Sequence, residues 1–158
     1  MHGVSKLNAT ESITLVSFTK VPADFSYMSV FFEEVAKRGV NIDMISQTAP
    51  QHGVLNIAFT APDEDLPKLM ELIGGFRKRH PEIQVMVSSG NVKISLYGDE
   101  MRHTPGVAAR AISTVSSVVD NIYLITTSEV DISFLIADEA LTNVQNAIEQ
   151  AFETTMEA

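Results

Sequence analysis

The chain repeats itself. "NIDMIS" at 41–46 returns as "NIYLIT" at 121–126, with Asp43 exchanged for Tyr123. "NIAFTAPDEDLPKLMELI" at 56–73 returns as "DISFLIADEALTNVQNAI" at 131–148, where Ile57/Ile132, Phe59/Phe134, Asp63/Asp138, Leu66/Leu141 and Ile73/Ile148 coincide. The first match is offset by 80 residues and the second by 75. The difference falls in one stretch, "SQTAPQHGVL" against "TTSEV", and surface loops tolerate such length changes. A duplicated unit confines the fold to something that is built twice.

Each copy has a readable order. In the first, residues 13–18 alternate as a strand. Ser26 stands as N-cap to a helix with Met28, Phe31, Phe32, Val35 and Ala36 at helical spacing, stopped by Gly39. Strands are expected at 41–47 and 54–60, then a helix over 63–79 with Pro67 in its first turn. A strand at 83–87 leads into a Ser-Ser-Gly-Asn linker at 88–91. The second copy offers a strand at 92–97, Thr104 as N-cap with Pro105 at the first helical position, a helix to about 119, two strands and a helix at 139–152. Val119 occupies the place of Gly39, where a β-branched residue resists the left-handed conformation, so this helix should end differently.

The order is βαββαβ twice. It implies an α+β, ferredoxin-like fold with antiparallel sheets and helices on one face. The second copy runs out in "ETTMEA", which is unlike a sheet strand. Residues 2–7, "HGVSKL", are therefore expected to supply its sixth strand, giving repeats at 8–89 and 90–158.

Composition excludes several functions. With 11 Lys and Arg against 20 Asp and Glu, the formal charge of −9 disfavours nucleic acid and anionic membranes as partners. The basic run at 77–80 suits the last turn of a helix. Without cysteine there is no disulfide framework, and His2, His52, His80 and His103 lack metal-ligand spacing, so neither metal nor cofactor is expected. No run is apolar enough for a membrane span or signal peptide, and a cytoplasmic location is expected. There is no Gly-rich phosphate loop and no nucleophile–base spacing, which argues against an enzyme.

"MRHTPGVAARAIS" followed by "NIYLITTSEVDISFLI" resembles the paired regulatory ACT domains at the C-terminal end of aspartokinases. "NIDMISQT" resembles the first ACT motif of that family, and "HGVS" its preceding short strand. The kinase domain that precedes this region in the family is missing from the sequence. The resemblance thus implies a separate regulatory subunit or a free-standing relative. It implies a homodimer that binds a small amino acid, lysine or threonine, with an aspartokinase catalytic subunit as a further partner.

In that family the effector sits where the loop before the first ACT helix meets the next strand. Carried over, the resemblance marks Met101, Thr104, Gly106, Val107 and Ala108 in the second loop, with Asn121, Ile122, Tyr123, Thr127, Ser128 and Glu129 on the strand side. In the first copy it marks Asn41, Ile42, Asp43 and Gln47, with Ser26 at the loop. A helix-opening loop offers free N–H groups to an α-carboxylate. A phenol at Tyr123 cannot neutralise an ammonium ion, since its pKa is about 10. Phe25 and Tyr27 would crowd the first loop. Each copy has thus lost half of the standard pocket, and an assembly module with a degenerate effector site is the alternative reading.

Overall fold

Over residues 3–157, which the computed structural model describes, six strands alternate with four helices. They are β1 (Lys6–Pro22), α1 (Ser26–Lys37), β2 (Ile45–Gln47), β3 (Val54–Pro62), α2 (Leu66–Arg79), β4 (Gln84–Tyr97), α3 (Val107–Ser116), β5 (Leu124–Thr127), β6 (Asp131–Ala137) and α4 (Leu141–Phe152). Single 3-10 turns precede α2 and α4. The chain forms two compact units. One comprises Ser12–Ser89, the other residues up to Glu11 together with those from Gly90 onward. Of the N-terminal stretch 2–7, His2 lies outside the described residues.

Within Ser12–Ser89 the strands lie in the order β2, β3, β1, β4; within the other unit, β5, β6, β4, β1. The fold is α+β and ferredoxin-like, with antiparallel pairing of β1 with β3, β2 with β3, β4 with β6 and β5 with β6. The two edge hairpins share one register. Ile45 faces Phe59, Ser46 faces Ala58 and Gln47 faces Ile57; in the other unit Ile125 faces Phe134, Thr126 faces Ser133 and Thr127 faces Ile132. Each pair is displaced by the two offsets that the sequence alignment requires, so the duplication extends to backbone hydrogen bonding.

Period-two alternation directs Val16 and Phe18 of β1, with Leu55, Ile57 and Phe59 of β3, to one face. Met28, Phe31 and Val35 of α1 and Leu69, Ile73 and Phe76 of α2 recur at helical spacing and cover that face. Phe18 centres this core, with ring centroids 5.1 Å from Phe31 and 5.4 Å from Phe76, both edge-on. The second core contains Val92, Ile94, Leu96, Ile132, Phe134 and Ile136 against Val107, Ala111, Val115, Val144, Ile148 and Phe152. Val4 and Leu7 belong to this second core. Buried hydroxyls are satisfied: Thr14 donates to Asp63 Oδ1 at 2.7 Å, and Thr60 Oγ1 accepts the Met44 N–H at 2.9 Å.

Several local expectations change. Ser26 does not cap α1. It is the first helical residue, Phe25 holds the N-cap position without a side-chain cap bond, and the Ser26 N–H donates back to Asp24 Oδ1 at 3.1 Å in a local turn. Thr104 and Pro105 precede α3 without entering it, because Gly106 at φ 89° turns the chain before the helix begins at Val107. The stretch at 88–91 is not a linker. It continues β4 through Gly90 at φ 73°, since pairing such as Asn91 with Ala137 overrides the local turn preference. The strand expected at 41–47 begins only at Ile45, although Asp43 N–H still reaches Thr60 O at 3.1 Å. "ETTMEA" is not idle either: Met156 bridges Leu7, and Glu157 N–H donates to Leu7 O at 2.7 Å.

The two α1/α3 stops differ as Gly39 and Val119 predict. Gly39 at φ 75° closes α1 with Gly39 N–H to Ala36 O and Val40 N–H to Val35 O, the paired bonds of a Schellman stop. α3 instead ends at Ser116 with Ser117 in right-handed geometry. Two substitutions separate core from backbone effects. Phe18→Ala should lower unfolding free energy by about 3–5 kcal/mol. Gly39→Ala, with open space around its Cβ, should cost only the left-handed backbone term of about 1–2 kcal/mol. Urea denaturation checks both, and equal losses would contradict this division.

Candidate functional site

β4 ends at Tyr97, and the chain turns through Asp99–Arg102 before reaching Gly106 and α3. The turn between β5 and β6 closes opposite. Ser128 N–H donates to Asp131 O at 2.9 Å, and Ser128 Oγ accepts the N–H groups of Val130 and Asp131 at 3.2 Å each. Gly98 joins the two segments, its N–H donating to Val130 O at 2.8 Å while its carbonyl accepts from Met101 at 3.1 Å.

Between them lies a cavity of about 390 Å³ lined by Met101, Arg102, Thr104, Pro105, Gly106, Val107, Ala108, Thr127, Ser128, Glu129 and Ile132. The structure thus brings together all five residues marked in the second loop and three marked on the strand side. One wall is the N-terminus of α3, which has no side-chain cap. Its first-turn N–H groups have no acceptor within the helix and carry the positive end of the dipole, which favours a carboxylate. The facing wall carries the hydroxyls of Thr127 and Ser128 and the Glu129 carboxylate. Arg102 Nη1 lies 3.4 Å from Glu129 Oε2 across the rim, with both side chains more than half exposed. Such a pair is worth about 0–1 kcal/mol and yields readily to a better partner.

The other marked residues lie elsewhere. Tyr123 is 43% exposed and does not line the cavity, and neither do Asn121 or Ile122. Tyr123 N–H bonds Leu135 O at 2.9 Å, as Asp43 N–H bonds Thr60 O. The backbone of this position is therefore used alike in both copies, while its side chain differs between them. Ile42 packs on the first core and Ile122 on the second. Asn41, Asp43, Gln47 and Ser26 are exposed, and none reaches this cavity. Arg102, Pro105 and Ile132 went unmarked in the sequence. Ile132 was traceable through the alternation of "DISFLI", whereas Arg102 needed the fold of the loop.

The corresponding corner of the first unit is built otherwise. Phe25 and Tyr27 stand where Pro105 and Val107 stand in the second. Tyr27 packs edge-on to His80 at 4.5 Å, and Asp24 already holds the first N–H of α1. A carboxylate at that helix end occupies a donor and repels a second anion. Among the described residues, no three His, Asp or Glu side chains are grouped to hold a metal, and no helix is long and apolar enough to cross a membrane.

At the mouth of the loop, Tyr97 Oη donates to Asp99 Oδ1 at 2.9 Å. That hydrogen bond, reinforced by the Asp99 charge, raises the Tyr97 pKa above the ordinary phenol value of 10.0. In an ultraviolet titration Tyr97 should ionise above pH 10.0, and Asp99→Asn should bring its ionisation down. An unchanged titration in Asp99→Asn would contradict the assignment.

Residues 94–152 match the family model of the ACT domain. The aspartokinase of Mycolicibacterium smegmatis is 33% identical over 154 residues, which is 96% of this chain and 36% of that protein. The chain therefore spans little more than a third of the curated relatives it matches. The regulatory subunit of aspartate kinase from Thermus thermophilus, in a ligand-free crystal structure, has a TM-score of 0.84 at 27% identity, covering 95% of this chain and 99% of that one. Aspartate kinase from Synechocystis reaches a TM-score of 0.91 at 26% identity, covering 99% of this chain and 28% of its own. Residues 94–152 thus match the ACT-domain family, and along nearly its whole length the chain resembles the regulatory part of aspartokinases.

Proposed function

We propose that the chain is a non-catalytic, amino-acid-binding regulatory module of two ACT-like repeats, 8–89 and 90–158, the second completed by residues 3–7, which bring Val4 and Leu7 into its core. The observation that carries this reading is the cavity in which the uncapped start of α3 faces the Thr127-Ser128-Glu129 turn. A zwitterion fits that polarity. Its carboxylate goes to the α3 N–H groups and Arg102, and its ammonium ion to Glu129 and the hydroxyls of the turn. The exposed Arg102–Glu129 pair is exchanged for two ligand contacts at little cost.

Lysine or threonine is the effector class that the aspartokinase resemblance favours. The Thermus relative is a regulatory subunit covered over nearly its whole length, which supports a chain acting beside a separate kinase catalytic subunit, and a homodimer is the assembly that the aspartokinase resemblance favours. Binding regulates such an assembly only if the ligand has different affinities for two of its states.

Thermal unfolding against the standard amino acids at millimolar concentration tests this. A ligand at about 100 times its dissociation constant adds about 2.7 kcal/mol, a shift of several degrees. Ala108→Glu should abolish the shift while leaving the ligand-free melting temperature unchanged or higher. The new carboxylate suits the first turn of α3 and occupies the place of the ligand's own. A flat panel with the wild-type chain would instead favour a module that only mediates assembly.

A further inference from the structure

Behind the cavity wall, the N-terminal segment passes close to the loop that forms it. Gly3 and Gly98 touch backbone to backbone: a Cβ on Gly98 would overlap the Gly3 carbonyl, which cannot swing aside as a side chain would. Gly3 sits at φ 114°, where L side chains are strained, and a Cβ there would fall 2.7 Å from Cγ2 of Val107. Val107 is the first residue of α3 and lines the cavity. Two residues on, Ser5 N–H donates to Tyr97 O at 2.7 Å, and Val4 and Leu7 are buried in the same core as Val107.

Gly98 therefore holds three things in place. It packs on Gly3, it accepts from Met101 of the loop, and it donates to Val130 beside Glu129 of the opposite wall. If residues 3–5 leave, the cavity loses the backing of both Gly98 and Val107 at once.

We propose that residues 3–7 are a clasp that positions the ligand-binding loop at 98–108, so that docking of this segment and occupancy of the cavity favour one another. Gly3 and Gly98 are its positioning residues. Linkage requires the coupling to be reciprocal: a ligand that needs the ordered loop tightens the segment, and a docked segment tightens the ligand. The nature of the ligand rests on the amino-acid reading above, whereas the clasp rests on the backbone geometry.

Amide hydrogen exchange on the full chain separates the two. Gly98→Ala displaces Gly3, and Ser5→Pro removes the donor to Tyr97 without touching the glycine contact. In either variant the amides of Met101 and His103 should exchange about tenfold faster or more, while those of Asp43 and Thr60 in the other unit keep wild-type rates. L-lysine and L-threonine, each at about 10 mM, should slow exchange at Ser5 in the wild type for whichever of them binds. Its affinity should fall about tenfold in both variants. Wild-type rates at Met101 and His103 in both variants would overturn the clasp, and so would faster loop exchange with unaltered affinity. Faster loop exchange in the variants, with neither amino acid acting on any chain, would support the clasp and overturn the assignment of lysine or threonine instead.

Discussion

The register between β4 and β6 is the constraint on which the site depends. Tyr97 faces Asp131, Leu96 faces Ile132, Ile94 faces Phe134 and Val92 faces Ile136. Ile132, Phe134 and Ile136 enter the second core, and a slip of one residue would put Ser133 there in their place. With the register held, the loop after Tyr97 and the turn before Asp131 emerge at the same end of the sheet. The Gly98 to Val130 bond extends the ladder by one step and ties them together. The cavity follows from this pairing, because its two walls are the two connections that the register brings side by side.

Duplication then explains both the likeness and the difference between the units. The edge hairpins retain the same pairing, down to the N–H of Asp43 and of Tyr123 reaching the equivalent carbonyls. The entries to α1 and α3 do not match. Neither helix has a side-chain N-cap bond, but Asp24 takes up the first N–H of α1 and Tyr27 leans on His80, whereas α3 follows the left-handed Gly106. An uncapped helix end costs stability that a cap would supply, on the order of 1 kcal/mol. That cost is recovered where an anion completes the cap, and the start of α1 already has the Asp24 carboxylate on its first N–H, which makes the start of α3 the more suitable one for a ligand.

The buried polar groups follow the same economy. Thr14 and Thr60 lie inside yet have partners, so the cores tolerate them. At the cavity the arrangement is reversed: the α3 N-terminus, the Ser128 turn and the Arg102–Glu129 pair all remain open to solvent. Rigid cores hold these weakly committed polar groups in place, and a ligand can recruit them without breaking anything strong.

The sequence by itself determined the repeat, the element order, the buried Met28, Phe31 and Val35 of α1 and the glycine stop of that helix. These follow from periodicity and from single-residue backbone preferences, which are local. The resemblance of its loop and turn motifs to the ACT domains of aspartokinases marked eight residues of the cavity. Tertiary structure decided that the polar stretch around Gly90 is strand, and that Arg102 joins the cavity. It also decided that Tyr123 points elsewhere and that two glycines nearly a hundred residues apart touch. Each of these depends on which carbonyl or side chain arrives from a distant strand. Such partners are selected by the summed burial and hydrogen bonding of a whole unit, and no window of sequence contains that sum.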